Sequence, residues 1–134
     1  MLYHARGQPF QRALHVRAQV VLVTGGLGPT RDDITTEVAA RSFGRRLVRD
    51  PEALERIEGY FRSVGREMSE NNAKQADFPE GAEILPNPLG TAPVFLIEQG
   101  DARRFFMPGG PRELYRMVDE EVLPRLASRT GRAG

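Results

Sequence analysis

The sequence predicts an α/β protein in which helices cover a layered sheet. Val20–Thr24 is a continuous apolar run, typical of a strand buried on both faces of a parallel sheet. The predicted order is strand, helix, helix, several strands and a last helix. Two glycine-proline turns, at residues 28–29 and 108–111, each separate a strand from a helix. Because such turns gather at the carboxyl ends of strands, where ligands bind, we expect them to form one site.

The first helix is predicted directly after the strand Val20–Thr24. Thr30 is a suitable N-cap, Asp33 then stands at the third helical position, and Gly44 is the expected stop. The expected buried face consists of Ile34, Val38 and Ala39.

A second helix is predicted to begin at Asp50, which is followed by a proline and an acid suited to the first helical turn. Gly65 is expected to end it. Its apolar residues at helical spacing are Leu54, Ile57, Phe61 and Val64. A short helical segment is expected at residues 70–76.

Three further strands are predicted at residues 82–85, 94–98 and 103–107, and the last two form a hairpin around Gly100. A final helix is predicted over 111–126. Its apolar face consists of Leu114, Met117, Val118 and Val122. These elements define one domain at residues 20–127, preceded by an irregular segment at 1–19 and followed by a loose tail at 128–134.

Composition excludes several classes of function. The formal net charge is +1, from 19 basic and 18 acidic residues, so no basic surface for nucleic acid is indicated. The absence of cysteine excludes disulfides, thiol nucleophiles and zinc-thiolate sites. The apolar runs are too short to cross a bilayer, so no membrane partner is expected and the predicted location is the cytoplasm.

The glycine turn after the first strand has two possible interpretations. It lacks the Gly-Lys-Ser/Thr of a P-loop, and Arg31 stands where a dinucleotide fingerprint needs its third glycine. The backbone amides of Gly25–Gly26–Leu27–Gly28 form either an anion site or only a tight turn. Asp32 and Asp33 are correspondingly either metal ligands beside a bound phosphate or acids that favour the helix dipole.

Two later polar segments leave the same choice open. Lys74, the single lysine among the 19 basic residues, follows two asparagines, including Asn72. This segment is either a polar surface turn or a group of donors for an anion. Gly90 and Thr91 belong either to a turn that enters a strand or to a second backbone cradle for phosphate.

Four motifs occur together and in order. They are Thr-Gly-Gly-Leu-Gly-Pro-Thr-x-Asp-Asp-x-Thr at 24–35, Glu-Asn-Asn-x-Lys-Gln-Ala at 70–76, Pro-Glu-Gly-Ala-Glu-x-Leu-Pro-Asn-Pro-x-Gly-Thr-Ala-Pro at 79–93 and Pro-Gly-x-Pro-x-Glu at 108–113. In this arrangement the chain resembles the N-terminal domain of the CinA, or competence-damage-inducible, family. That domain belongs to the MoaB/Mog-like molybdopterin-binding superfamily. The resemblance implies a three-layer α/β/α sandwich with a mostly parallel sheet and an antiparallel edge hairpin.

The resemblance also implies roles for particular residues. Asp33 would act in catalysis and hold a divalent metal ion, and Lys74 would assist by donating to developing negative charge. The residues implied to bind the ligand are Thr24, Gly25, Gly26, Gly28, Thr30, Asn72, Gly90, Thr91, Pro108, Gly109 and Glu113.

The implied partner is a phosphate-bearing small molecule, either a nucleotide or molybdopterin. CinA-type domains are associated with metal-dependent cleavage of nucleotide pyrophosphates such as ADP-ribose, with potassium as a possible further ion. The alternatives are a module that binds without turnover and an inactive remnant. Relatives begin with a strand-helix-strand unit that the residues before Val20 do not match, so we expect this unit to be missing. An uncovered edge at Val20–Val23 would then favour homo-oligomers.

Overall fold

The computed structural model describes residues 2–4, 19–30, 33–88 and 90–127. Its strands are β1 (Leu2–His4), β2 (Val20–Thr24), β3 (Leu47–Arg49), β4 (Asp77–Pro79), β5 (Glu83–Ile84), β6 (Phe95–Gln99) and β7 (Ala102–Met107). Its helices are α1 (Thr35–Ser42), α2 (Pro51–Ser63), α3 (Glu70–Ala73) and α4 (Pro111–Met117). A 3₁₀ turn, Lys74–Ala76, follows α3, and a π-helical turn, Val118–Val122, follows α4 and leads into helical residues 123–127.

The main sheet is mixed, with five strands in the order β1-β2-β7-β6-β5. Strands β1, β2 and β7 are parallel to one another, and Leu22 of β2 is in register with Phe105 of β7. Strand β6 is antiparallel to both of its neighbours, β7 and β5. The predicted hairpin of β6 and β7 is therefore confirmed. A second, two-stranded sheet pairs β3 with β4.

Side chains that alternate along the central strands build two apolar cores, one on each face of the main sheet. Val21, Val23 and Phe106 pack with Val38 and Ala39 of α1. The opposite face carries a second cluster made of Leu96, Phe105, Met107, Met117 and Val122, with Val20 and Leu22 against it. Because α1 covers one face and α4 with its π turn covers the other, the predicted three-layer sandwich is confirmed.

The first predicted helix begins later than expected. α1 starts at Thr35, and its N-cap, Ile34, makes no side-chain capping hydrogen bond. Thr30 is not the cap, because its hydroxyl donates to the Asp33 carboxylate within a separate turn. Ile34 is 48% exposed, whereas Val38 and Ala39 are buried as predicted.

The second predicted helix and its ends are confirmed. The Asp50 carboxylate caps α2 by accepting from the Ala53 N–H at 2.8 Å, and Gly65 follows the helix with φ +70°. Ile57 is buried. Val64, expected on the same face, is 47% exposed because it stands at the C-cap, where the helical face ends.

The irregular segment predicted for residues 1–19 is wrong for Leu2–His4, which forms β1. β1 pairs with Leu22, Val23 and Thr24, and β7 pairs with the whole of β2, so β2 lies inside the sheet. The expected uncovered edge at Val20–Val23 is therefore corrected at Leu22 and Val23, where the pairing with β1 begins. Three-residue strands such as β1, β3 and β4 are too short to give a periodic pattern. Most of the segment 1–19 and the whole tail 128–134 lie outside the described residues.

Across the residues that the structure describes, no helix combines the length and the apolar character needed to span a membrane.

Candidate functional site

The two glycine turns lie side by side at one edge of the sheet. β2 and β7 are adjacent parallel strands, and the first residue after β2 is held directly by the last residue of β7. The Gly25 N–H donates to the Met107 carbonyl at 3.0 Å. The turn after β2 and the turn that begins at Pro108 therefore share the carboxyl edge of the sheet, as the sequence predicts.

The first turn is fixed by its own backbone and by α1. Gly25 and Gly26 adopt φ values of 89° and 71°, which side chains other than glycine rarely allow. The buried Thr35 binds both: its N–H donates to the Gly26 carbonyl at 3.0 Å, and its hydroxyl to the Gly25 carbonyl at 2.8 Å. The first residue of α1 thus holds the turn in one conformation.

Two neighbouring amides of this turn take no part in the hydrogen bonds among the described residues. The N–H groups of Gly26 and Leu27 have no acceptor among the described residues. The N–H of Gly25, in contrast, is committed to β7. Consecutive amides that share one concave turn are a site for an anionic oxygen.

Asp33 holds the end of the turn through hydrogen bonds to Thr30. Its Oδ2 accepts from the Thr30 N–H at 3.0 Å and from the Thr30 hydroxyl at 2.6 Å. A Cβ on Gly28 would lie 2.7 Å from Oδ2, so the backbone approaches the carboxylate too closely for a side chain. Burial acts to raise the Asp33 pKa, but hydrogen bonds from Thr30 and Gly28 and the charge of Lys74 lower it below its usual value.

Lys74 reaches this turn from a distant part of the sequence. It is the first residue of the 3₁₀ turn after α3, and its Nζ donates to the Thr30 carbonyl at 2.8 Å. The ammonium contributes to the lowered pKa of Asp33. The turn therefore combines two amides that have no acceptor among the described residues with a carboxylate and a cation.

A second group of predicted residues lies around the segment before β6. The Thr91 hydroxyl donates to Oε1 of Gln75, which is 3% exposed and follows Lys74. Glu113 of α4 packs against Gly90 so closely that a Cβ on Gly90 would collide with its carboxylate. Thr91 is thus linked through Gln75 and its neighbour Lys74 to the first glycine turn, and Gly90 is linked through Glu113 to the helix that follows the second.

The structure brings most of the predicted site residues together. The first turn itself contains Gly25, Gly26, Gly28 and Thr30, and it follows Thr24, the last residue of β2. Asp33 and Lys74 both contact Thr30 in this turn. Pro108 and Gly109 follow β7, the strand paired with β2. The side-chain amide of Asn72 donates to Ser69 Oγ at 3.0 Å, within the cap of α3. Thr35 and Gln75 were not assigned roles, although both lie inside the motifs at 24–35 and 70–76.

The donor set for a metal ion is small. Among the described residues no group of three histidine, cysteine, aspartate or glutamate side chains could hold a metal. Asp32 lies outside the described residues. The Asp33 carboxylate alone fits an ion of the Mg²⁺ type, which commonly takes one or two carboxylates and completes its shell with water and substrate phosphates.

The fold and the turns at its carboxyl edge define a class of ligand-binding α/β domain. The family described as "probable molybdopterin binding domain" matches residues 6–128. The chain belongs to this family.

Within the family, the chain is similar to CinA proteins. It is 51% identical to a CinA-like protein of Syntrophotalea carbinolica over 86% of this chain and 28% of the relative. It is 47% identical to a CinA-like protein of Citrifermentans bemidjiense over 87% of this chain and 28% of the relative. The chain thus spans little more than a quarter of the length of these curated relatives.

A solved structure supports the same relationship. The crystal structure of "the protein CinA with unknown function" from Thermoplasma acidophilum superposes with a TM-score of 0.71 at 33% identity. The match covers 82% of this chain and 63% of that one. The CinA-type resemblance carried by the four sequence motifs is therefore confirmed.

Proposed function

We propose that this domain binds a phosphorylated nucleotide or pterin, with the phosphate at the turn after β2. The observation that carries the proposal is the pair of amides at Gly26 and Leu27, which have no acceptor among the described residues. They belong to the same turn as Thr30, which contacts both Lys74 and Asp33. Amides and an ammonium stabilise phosphate charge without needing to rearrange when the ligand arrives.

A second candidate function is hydrolysis of a nucleotide pyrophosphate such as ADP-ribose. The lowered pKa of Asp33 favours it, because an ionised carboxylate close to the phosphate site can hold a divalent cation. Such a cation, acting with potassium as a possible second ion, would neutralise charge on the pyrophosphate. Asp33 would hold the cation, and Lys74 would hold the turn and favour negative charge on the phosphate.

In turnover, water would attack one phosphorus and the bridging P–O bond would break. ADP-ribose and water would give AMP and ribose 5-phosphate, and two protons would be released near neutral pH. The experiment incubates the protein with ADP-ribose, Mg²⁺ or Mn²⁺, and K⁺, and follows both products by ³¹P NMR. We expect product with the native protein and a large loss with Asp33→Asn.

The matched control is Asp101→Asn, which removes an exposed acid in the turn between β6 and β7. It is expected to keep native activity. Saturable ADP-ribose binding without product would support the binding module over the enzyme. Absence of binding by ADP-ribose, pyrophosphate and molybdopterin alike would contradict the proposed function as a whole.

A further inference from the structure

Thr35, the first residue of α1, contacts the glycine turn at two successive carbonyls. Its N–H donates to the Gly26 carbonyl at 3.0 Å, and its hydroxyl donates to the Gly25 carbonyl at 2.8 Å. Thr35 is 1% exposed. A hydroxyl buried this deeply is unfavourable unless it is hydrogen-bonded, so its contact with Gly25 is part of the folded structure.

The direction of each carbonyl fixes the direction of the amide that follows it. Peptide units that do not precede proline are almost always planar and trans, so the C=O of one residue and the N–H of the next point in opposite directions. The Gly25 carbonyl shares its peptide unit with the Gly26 N–H, and the Gly26 carbonyl shares its unit with the Leu27 N–H. Both amides therefore point away from Thr35. They are the same two amides that have no acceptor among the described residues.

The two glycines allow both carbonyls to meet one partner. In an extended strand, successive carbonyls point to opposite sides of the chain. Gly25 and Gly26 instead have φ values of 89° and 71°, a conformation that other residues rarely adopt. The turn can therefore present two carbonyls to Thr35 and two amides to the opposite side.

The first helix connects this arrangement to the core. The N–H of the first residue of a helix has no partner within the helix and is often free for an anion. In α1, however, this N–H is committed to Gly26. Val38 and Ala39 of the same helix are buried in the core cluster that contains Val21 and Val23 of β2. α1 is thus a fixed support for the turn.

We propose that Thr35 is a positioning residue of the phosphate site. By holding both glycine carbonyls, it directs the Gly26 and Leu27 amides towards the phosphate and keeps them in that direction before the ligand arrives. The inference rests on the proposed function. It assigns the shape of the phosphate site to a side chain that is buried away from the ligand.

The test measures the affinity for inorganic pyrophosphate by isothermal titration calorimetry. Thr35→Val keeps the shape of the side chain and removes the hydroxyl, so the turn spends less time in the binding conformation. The affinity is expected to fall at least about fivefold. Thr35→Ser keeps the hydroxyl and is expected to bind within about twofold of native protein. Thr36→Val makes the same change at the next position of α1, which is half-buried, and is expected to bind like native protein.

NMR spectra separate positioning from stability. Each affinity is measured at a temperature at which the spectrum shows a folded protein, so a loss of stability alone leaves the affinity unchanged. The Gly26 and Leu27 amide signals of the free protein are expected to move in Thr35→Val and to return towards their native positions in Thr35→Ser. If Thr35→Val does not fold, Thr35→Ala replaces it in the comparison with Thr35→Ser.

Native protein offers a measurement that needs no variant. The hydrogen bond from Thr35 to Gly26 is expected to give a scalar coupling between the Thr35 amide nitrogen and the Gly26 carbonyl carbon. This coupling should be present both without ligand and with saturating pyrophosphate, because the turn is already arranged before binding.

Three results would overturn the inference and leave the proposed function intact, provided that native protein binds pyrophosphate. The first is native affinity in folded Thr35→Val, the second is a loss in Thr35→Ser as large as that in Thr35→Val, and the third is a coupling that appears only with ligand. Failure of native protein to bind pyrophosphate would contradict the phosphate site itself, and the inference with it.

Discussion

The Lys74 ammonium donates a 2.8 Å hydrogen bond to the backbone carbonyl of Thr30, across 44 positions of sequence. The contact joins the 3₁₀ turn after α3 to the glycine turn after β2. It also places a positive charge near Asp33, whose pKa it helps to lower. The single lysine of the chain therefore acts on both the shape and the charge of the proposed phosphate site.

Replacing Lys74 by methionine is expected to raise the pKa of Asp33 from its lowered value, because the nearby positive charge is lost. The measurement is an NMR titration of the Asp33 side-chain carboxyl carbon. Arg46→Met removes an exposed cation that is paired with Glu80, and should leave the Asp33 titration unchanged. A native titration curve in Lys74→Met would contradict this electrostatic role.

Replacing Asp33 by asparagine is expected to lower the free energy of unfolding at pH 7 by about 1 kcal/mol. Hydrogen bonds to a charged group are worth somewhat more than this, but solvent screens a partly exposed site. Because the folded pKa is depressed, this stabilisation is complete above the unfolded pKa and is lost as pH falls through the folded pKa. The difference between the two proteins should therefore shrink below about pH 4.

Urea unfolding at several pH values measures this difference. Asp101→Asn, on the exposed turn between β6 and β7, should change the free energy of unfolding by less than about 0.5 kcal/mol. The prediction would be contradicted if the difference in unfolding free energy between native protein and Asp33→Asn grew as the pH was lowered.

Gly28→Ala is expected to destabilise the protein much more than Gly110→Ala. A Cβ at Gly28 would lie 2.7 Å from Asp33 Oδ2, so the carboxylate must move, and we expect a loss of about 1–3 kcal/mol. A Cβ at Gly110 meets no described atom within 4 Å. Gly110 is the N-cap of α4, where alanine is less favourable than glycine, and this loss offsets the reduced freedom of the unfolded chain, so a change below about 0.5 kcal/mol is expected. Thermal unfolding of both variants measures the contrast, and equal effects would contradict the close approach at Gly28.

Gly90 and Glu113 are expected to be energetically coupled. Gly90→Ala should destabilise the protein, because its Cβ would collide with the Glu113 carboxylate. Shortening the side chain in Gly90→Ala/Glu113→Ala should relieve this collision, so the double variant should be at least about 0.5 kcal/mol more stable than additivity predicts. Strict additivity in a double-mutant cycle would show that the two residues do not constrain each other.

The sequence predicted the elements whose signals are local. Asp50 and Gly65 marked the ends of α2 because a cap and a left-handed glycine act within one turn. The turn of Thr30 with Asp33 replaces the predicted helix start, because the same residues can either cap a helix or bind each other. The strands β1, β3 and β4 depend on partners far away in the chain, which a pattern of three residues does not reveal.

For the candidate site, too, the sequence predicted the local part and not the contacts between distant residues. The glycines and Asp33 stand in one short stretch, so their proximity followed from the sequence. The contact of Lys74 with Thr30 and the packing of Glu113 on Gly90 arise only from the tertiary fold.

The central claim is that the turn after β2 binds phosphate through its available amides. The most direct measurement is an NMR titration of the ¹⁵N-labelled protein with inorganic pyrophosphate, repeated with Lys74→Met and Arg46→Met. We expect saturable shifts at the Gly26 and Leu27 amides, weaker binding in Lys74→Met and native binding in Arg46→Met. Saturable binding that leaves the Gly26 and Leu27 amides unshifted, or no binding at all, would contradict the claim.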